Sequence, residues 1–303
     1  TTNTSAPVQI SSLSSAIAVT AGYSAGYALS GGTIPTAGTV PPRQLSAAGN
    51  PCLPCDVSNT AVGSGGDPVD TSSGNFTESA ADLAITGRGL GAVWTRSYSS
   101  VLAADDGPLG FGWHTGYTAH LSIETSTGNV VVSQENGAEV AFTNSAGTYT
   151  APARVQATLV RNTDGSYTFT RQTGQTLRFD ASGLLLTMVD RNGEATALTY
   201  NAGKLSQITE PGGRALTVTF TGSHVTTVTD PLGNSVGYGY DQAGNLTTVT
   251  GPDGAVTTFG YDAAHRITSV LDAEQQGAST KVPVTMVYDA AGRVSTQTDQ
   301  LGR

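Results

Sequence analysis

The chain has 303 residues, enough for one large β domain or two smaller ones, with a net charge of −9 and only 12% charged residues. That balance argues against nucleic acid or an anionic membrane as a main partner, because both attract Lys and Arg clusters, and lysine occurs only at Lys204 and Lys281. No run of about 18 apolar residues is present, so no helix is expected to span a bilayer.

Residues 1–50 are rich in Ala, Ser, Thr and Gly around one mildly apolar portion, LSSAIAVTAGYSAGYALSGG. They are expected to form a flexible linker or stalk, the alternative being a segment that orders against a partner. The chain starts without Met and lacks the basic start and cleavage pattern of an intact signal peptide. Its end, TDQLGR, stops inside a recurring pattern, so a longer parent is expected.

Residues 51–65 form a connector that contains Cys52 and Cys55 in a CxxC. Neither a second CxxC nor a nearby His pair completes a zinc set, and no βαβ pattern supports a thioredoxin-like site. The readings are a local disulfide or structural thiol pair first, half a metal site second and a redox pair last. An oxidising, extracellular setting favours the disulfide.

From residue 66 to residue 176, short strand-like runs alternate with Gly turns. NVVVSQENGAEVAFTN and LVRNTDGSYTFTR place Asn136-Gly137 and Asp164-Gly165 between β-prone runs, a strong short hairpin signal. GRGLG at Gly87–Gly91 lacks a following helix and reads as a turn rather than a phosphate loop. His114 and His120 are separated by about 20 Å of strand if extended, too far to share a metal. His224 and His265 sit at turns. Ser64, Ser73 and Ser97 lack a G-x-S-x-G elbow.

Between residues 177 and 303 a repeat emerges. The aromatic that ends one strand recurs at Phe179, Tyr200, Phe220, Tyr240, Tyr261 and Tyr288, at intervals of 21, 20, 20, 21 and 27 residues. Two positions earlier stand Leu177, Leu198, Val218, Tyr238, Phe259 and Met286, which share a strand face with those aromatics. After the aromatic comes a turn such as Asp241-Gln242-Ala243-Gly244, suited to a type I turn with a Gly bulge. His265 takes the place of that Gly in one repeat and tolerates positive φ. A second turn follows, such as Asp230-Pro231-Leu232-Gly233, where Pro pre-sets φ. Two turns per period leave two strands, so the chain reads as a ribbon of antiparallel hairpins in an all-β fold. The excursion DAEQQGASTKVP fills the longest interval and is expected on the surface.

Asp67, Asp70, Asp190, Asp230, Asp241, Asp262 and Asp289 are numerous enough to suggest paired-carboxylate catalysis. Most recur at one turn position, which a catalytic acid need not do. They are read as turn formers. Tyr238, Tyr240, Phe259 and Tyr261 are candidate sugar-stacking rings, but their recurrence favours core or lumen lining.

GYDAAHRITSVLD, YDQAGNLTTVTGPDGAVTTFGY and YDAAGRVSTQTDQLGR resemble the YD repeats of RHS-type proteins. GDPVDTSSGNFTESAADLAITGRG, with DGPLGFGWHTGY and QENGAEVAFT, resembles the module that starts the RHS shell. The resemblance covers residues 66–303. It implies a hollow β-cocoon, a secreted or cell-surface location, and a shell that encloses or presents another polypeptide, such as a toxin effector. The motif that ends the core of toxin-bearing members is missing here, and the pattern is too short to close a whole cocoon. The alternative is an adhesin or carbohydrate-binding surface protein. No catalytic residue, metal or cofactor is expected. The last hairpin is expected to leave an open edge for further repeats or another copy.

Overall fold

The protein is described here by a computed structural model covering residues 16–21, 26–30, 69–70, 73–135, 137–153, 155–276 and 280–303. Cys52, Cys55, Ser64 and Asp67 lie outside the described residues. The chain divides into two compact units, Thr1–Pro41 and Pro42–Arg303. In the first, β1 (Ala16–Ala21) and β2 (Gly26–Ser30) pair antiparallel. Both fall inside the segment expected to be a linker.

The second unit opens with a module of short strands. Strands β3 (Thr77–Ile85) and β4 (Ala92–Ser99) form a long hairpin with GRGLG at its tip. A single 3-10 turn, Ser100–Leu102, leads to a two-residue-per-strand hairpin, β5 (Asp106–Gly107) and β6 (Gly110–Phe111). This projection is called the finger below. Strand β7 (Trp113–Thr115) returns to pair with β4. Then β8 (His120–Ile123), β9 (Val130–Ser133), β10 (Glu139–Ser145) and β11 (Thr148–Thr150) form a meander. His114 and His120 therefore stand on different strands, β7 and β8.

The ribbon is one sheet of 14 strands, from β12 (Ala157–Arg161) to β25 (Val294–Thr298), each paired antiparallel with the next in chain order. It takes in β12 and β13 (Tyr167–Arg171), ahead of the expected start at 177. That hairpin turns at Asp164-Gly165 without the aromatic-then-turn signature, so a count by aromatics begins one hairpin late. The long interval holds one helical turn, α1 (Ala273–Gln276).

Alternation builds the core. In the strand Ala215–Thr221, Leu216 and Val218 are buried while Thr217 and Thr219 face solvent. The same register repeats from Leu159 to Met286, and this apolar row joins Trp94, Tyr98, Trp113 and Phe142 of the module in one cluster. A fully buried side chain of this size contributes about 1.5–3 kcal/mol. No single hairpin holds enough such residues to stand alone, so the hairpins are stable only as a stack.

The repeated carboxylates close the turns. Asp241 Oδ1 accepts the Ala243 and Asn245 N–H groups at 2.9 and 2.8 Å, and Gly244 follows at φ 89°. Asp230 Oδ1 does the same for Leu232 and Asn234 at 2.8 and 2.9 Å. His265 takes the Gly position with φ 62°. In every repeat a bulge falls next to the aromatic. Two repeats depart from the scheme. Asn201 pairs with Lys204, and Thr221 with His224, so each is closed by a two-residue loop without Asp.

These hydrogen bonds hold the carboxyls below their ordinary range. At Asp190, Asp289 and Asp299 the largest cause is a backbone N–H, from Glu194, Arg293 and Arg303 respectively. At Asp230 it is the Asn234 side chain. A carboxyl depressed in the folded state adds stability that is complete above its unfolded pKa, about 3.9 for Asp, and is lost as pH falls through the folded value. Urea midpoints are therefore expected to be flat from neutrality to about pH 5 and to fall below about pH 4. The Asp230→Asn/Asp289→Asn variant should fall less steeply. An equal slope in both proteins would refute the assignment.

Candidate functional site

The recurring chemistry of the ribbon lies where successive hairpins meet. Between hairpins the ladder is short: Thr227 to Thr229 pair with Gly237 to Ser235, and no further. Beyond that the strands part toward the aromatic, opening a seam. The residue opposite each aromatic, across the bulge, is Leu185, Leu205, Val225, Leu246, Ile267 or Val294. At Leu185, Val225, Leu246, Ile267 and Val294 its N–H or carbonyl is met from outside the ladder, by a tyrosine hydroxyl or by the module.

Tyrosine fills the seam from one side. The Tyr200 hydroxyl donates to Leu185 O at 2.8 Å, Tyr240 to Val225 O at 2.7 Å, Tyr261 to Leu246 O at 2.7 Å and Tyr288 to Ile267 O at 2.8 Å. Each tyrosine thus clamps its own hairpin to the one before. Burial pushes all four phenols above their ordinary value. Phe179 and Phe220 hold the same repeat position without a hydroxyl.

The module fills the seam from the other side. Val225 N–H donates to Pro108 O in the finger at 2.8 Å, and Val294 N–H to Gly74 O at 2.8 Å. Ile267 N–H donates to the Tyr98 hydroxyl at 3.1 Å, which donates to His265 O at 3.0 Å. Strand β8 reaches the first seam, with Leu121 N–H on Gly183 O at 2.9 Å. The finger presses so closely at the Leu246 seam that a Cβ on Gly110 would stand 2.4 Å from Gly244 O and 3.4 Å from Leu246 N. That approach is open only to glycine, here also at φ 84°.

Around these contacts lies a buried polar triad. Arg96 Nε donates to both Asp82 carboxylate oxygens at 3.0 Å, and the Tyr238 hydroxyl donates to Asp82 Oδ2 at 2.8 Å. The pair's side chains are only 6% and 7% exposed. Burial raises the Asp82 pKa, opposed by Arg96 and Tyr238. The guanidinium lies 5.2 Å from the Trp113 ring and 5.4 Å from Phe259. Trp113 Nε1–H donates to the Tyr261 hydroxyl at 2.9 Å. His265 stacks on Phe111 at 3.7 Å, with Nδ1 2.7 Å from Asn245 Oδ1. His224 stacks on Tyr240 at 4.7 Å and meets Asp106 at 2.8 Å. A second buried pair, Arg171 with Glu135, ties the turn after β9 to β13.

The structure therefore brings Tyr200, Tyr240, Tyr261 and Tyr288 into one role and leaves Phe179 and Phe220 as packing. Tyr238 and Phe259, weighed as sugar platforms, are each 5% exposed and engaged with the module. Tyr240 and Tyr261 are half-buried in the core, with their hydroxyls used. The recurring carboxylates are separated, each serving its own turn, and no group of three metal-ligating side chains occurs among the described residues. No described helix is long and apolar enough to cross a membrane. Asp82 and Arg96 were not singled out from the sequence. Their signal was Tyr238, the one hydroxyl in an otherwise apolar row.

Comparison with known proteins adds family-level findings. A family model described as "Domain of unknown function (DUF6531)" matches residues 66–142, and one described as "RHS Repeat" matches residues 179–215, 221–256 and 243–276. The "tRNA nuclease WapA" of Bacillus subtilis (strain 168) is 31% identical over 134 residues, 44% of this chain and 6% of that protein. The "tRNA3(Ser)-specific nuclease WapA" of Bacillus spizizenii matches with the same identity and coverage. The chain thus spans a small fraction of these curated relatives. A solved structure described as "Crystal Structure of TcdB2-TccC3-TEV" matches 78% of this chain and 15% of its own at 13% identity, with a TM-score of 0.25. So loose a superposition carries no argument.

Proposed function

Because the chain belongs to the RHS/YD-repeat family, we propose that it is the opening segment of a larger RHS-type β shell. In this reading the module anchors the first hairpins, and the ribbon continues into further repeats of the parent protein or another copy. The shell, secreted or held at the cell surface, encloses, scaffolds or presents another polypeptide. The WapA relatives are named as tRNA nucleases, and this chain matches 6% of them. We assign nuclease chemistry to no residue here, and the segment acts without catalysis.

The observation that supports the reading is the ribbon itself, one sheet of 14 strands paired in chain order and sharing one apolar cluster with the module, an arrangement that lengthens by adding hairpins. Strand β25 pairs with β24 (Val284–Tyr288) and with no other strand among the described residues. Its exposed neighbours include Val287, 57% exposed, and Leu301, 75% exposed. An edge of this kind invites strand addition. Hydrogen exchange on the 303-residue chain, read alongside its mass in solution, tests this. The outward amides between Ser295 and Thr298 should exchange rapidly in the monomer and become protected as copies associate. Protection in a strict monomer equal to that of the central strands would contradict an open edge.

A further inference from the structure

The six seams are not treated alike. Four of the six residues that line them, Leu185, Val225, Leu246 and Ile267, are fully buried. The module reaches the seams at Leu185, Val225, Leu246, Ile267 and Val294 through Leu121, Pro108, Gly110, Tyr98 and Gly74. A tyrosine hydroxyl takes the carbonyl at Leu185, Val225, Leu246 and Ile267. Among the described residues Leu205 has neither arrangement. The next aromatic is Phe220, which has no hydroxyl; the Lys204 ammonium lies 5.7 Å from its ring centroid and donates to Gly222 O across the seam.

What lies there instead is a cleft of about 470 Å³. Gly203, Lys204, Leu205 and Phe220 form its ribbon wall, and the finger's Asp106 and Pro108 face them. The neighbouring turn is one of the two shortened ones, and a Cβ on Gly203 would meet nothing within 4 Å, whereas one on Gly183 would strike Leu121 O at 2.3 Å. The shortened turn and the missing hydroxyl thus coincide with a gap beside an established interface.

We propose that the Leu205 seam is a docking position for an extended segment of a partner polypeptide. At two of the other seams the N–H is claimed by a backbone carbonyl, from Pro108 at Val225 and from Gly74 at Val294. A peptide carbonyl supplies the same acceptor to Leu205 N–H, and a peptide N–H supplies the donor that Phe220 lacks for Leu205 O. This is strand-like recognition, with main-chain bonds giving affinity and the cleft receiving one side chain. A peptide would bind here whether or not the chain is part of a shell.

The probe is the heptapeptide DGPLGFG, residues 106–112, because this finger sequence already fills the adjacent seam. In the free protein the Leu205 amide should exchange far faster than those of Val225 and Ile267. Saturating peptide should slow Leu205 alone. The variant Phe220→Tyr restores the hydroxyl found in the other repeats. It should close the seam on Leu205 O and weaken peptide binding about tenfold, the worth of one well-placed hydrogen bond, without lowering thermal stability. Slow Leu205 exchange in the free protein, failure of millimolar peptide to protect Leu205, or undiminished binding by Phe220→Tyr would each overturn the assignment. Protection lost at Val225 on adding peptide would mean displacement of the finger, and would overturn it too.

Discussion

Replacing Arg96 by methionine is expected to destabilise the protein by about 3–5 kcal/mol, the usual result of leaving one member of a buried ion pair without its partner. Asp82 would keep only the Tyr238 hydroxyl, at 2.8 Å, inside a site where its side chain is 7% exposed. Its charge would then be unfavourable, and its pKa, already raised by burial, would rise further. Urea unfolding followed by tryptophan fluorescence would show a lower midpoint at unchanged slope. A second variant separates charge from packing. Changing the whole triad (Asp82→Leu, Arg96→Met, Tyr238→Phe) removes its three interacting polar groups together and should recover most of the loss. A loss under about 1 kcal/mol for Arg96→Met would mean that the triad is solvated rather than sealed between module and ribbon.

Trp113→Ala should cost a similar amount, about 3–5 kcal/mol, for a different reason. The indole is fully buried, with its ring centroid 5.3 Å from that of Tyr98 and 5.2 Å from that of Phe259. Its removal leaves a cavity at the junction and strips the Tyr261 hydroxyl of a donor. Calorimetry on Trp113→Ala, Phe259→Ala and the double variant gives the coupling between them, expected at about 0.5–1.5 kcal/mol beyond simple area loss. Additive losses would show that module and ribbon touch without mutual support.

The ribbon was legible in the sequence because its information is local. Aromatic, turn and bulge recur within about 20 residues, and a side-chain period of two assigns the inward face. The turn role of Asp230, Asp241 and Asp289 followed from recurrence alone, and the hydrogen bonds to their carboxylates bear it out. The seam was not legible. Trp113 and Tyr261 are 148 positions apart, and Tyr98 and Ile267 are 169 apart. No local pattern encodes such a pairing. Its trace survives only as departures from the repeat: a hydroxyl at Tyr238, an imidazole at His265, shortened turns at Asn201 and Thr221, and a phenylalanine at Phe220. Each departure falls where the module touches the ribbon or conspicuously does not. The same logic explains the late start assigned to the ribbon, since β12 and β13 share its geometry but not its aromatic spacing.

The central claim is that module and ribbon form one cooperative body, joined at seams that neither could satisfy alone. Native-state hydrogen exchange at Val225, Ile267 and Val294 tests it most directly, because their N–H groups are bound by Pro108, Tyr98 and Gly74 of the module. These amides should exchange only through global opening, with the same free energy as core amides such as Val228, and Arg96→Met should lower both together. If those three amides exchange like free loop amides, or keep full protection when Arg96→Met loosens the module, the ribbon stands without the module and the account is wrong.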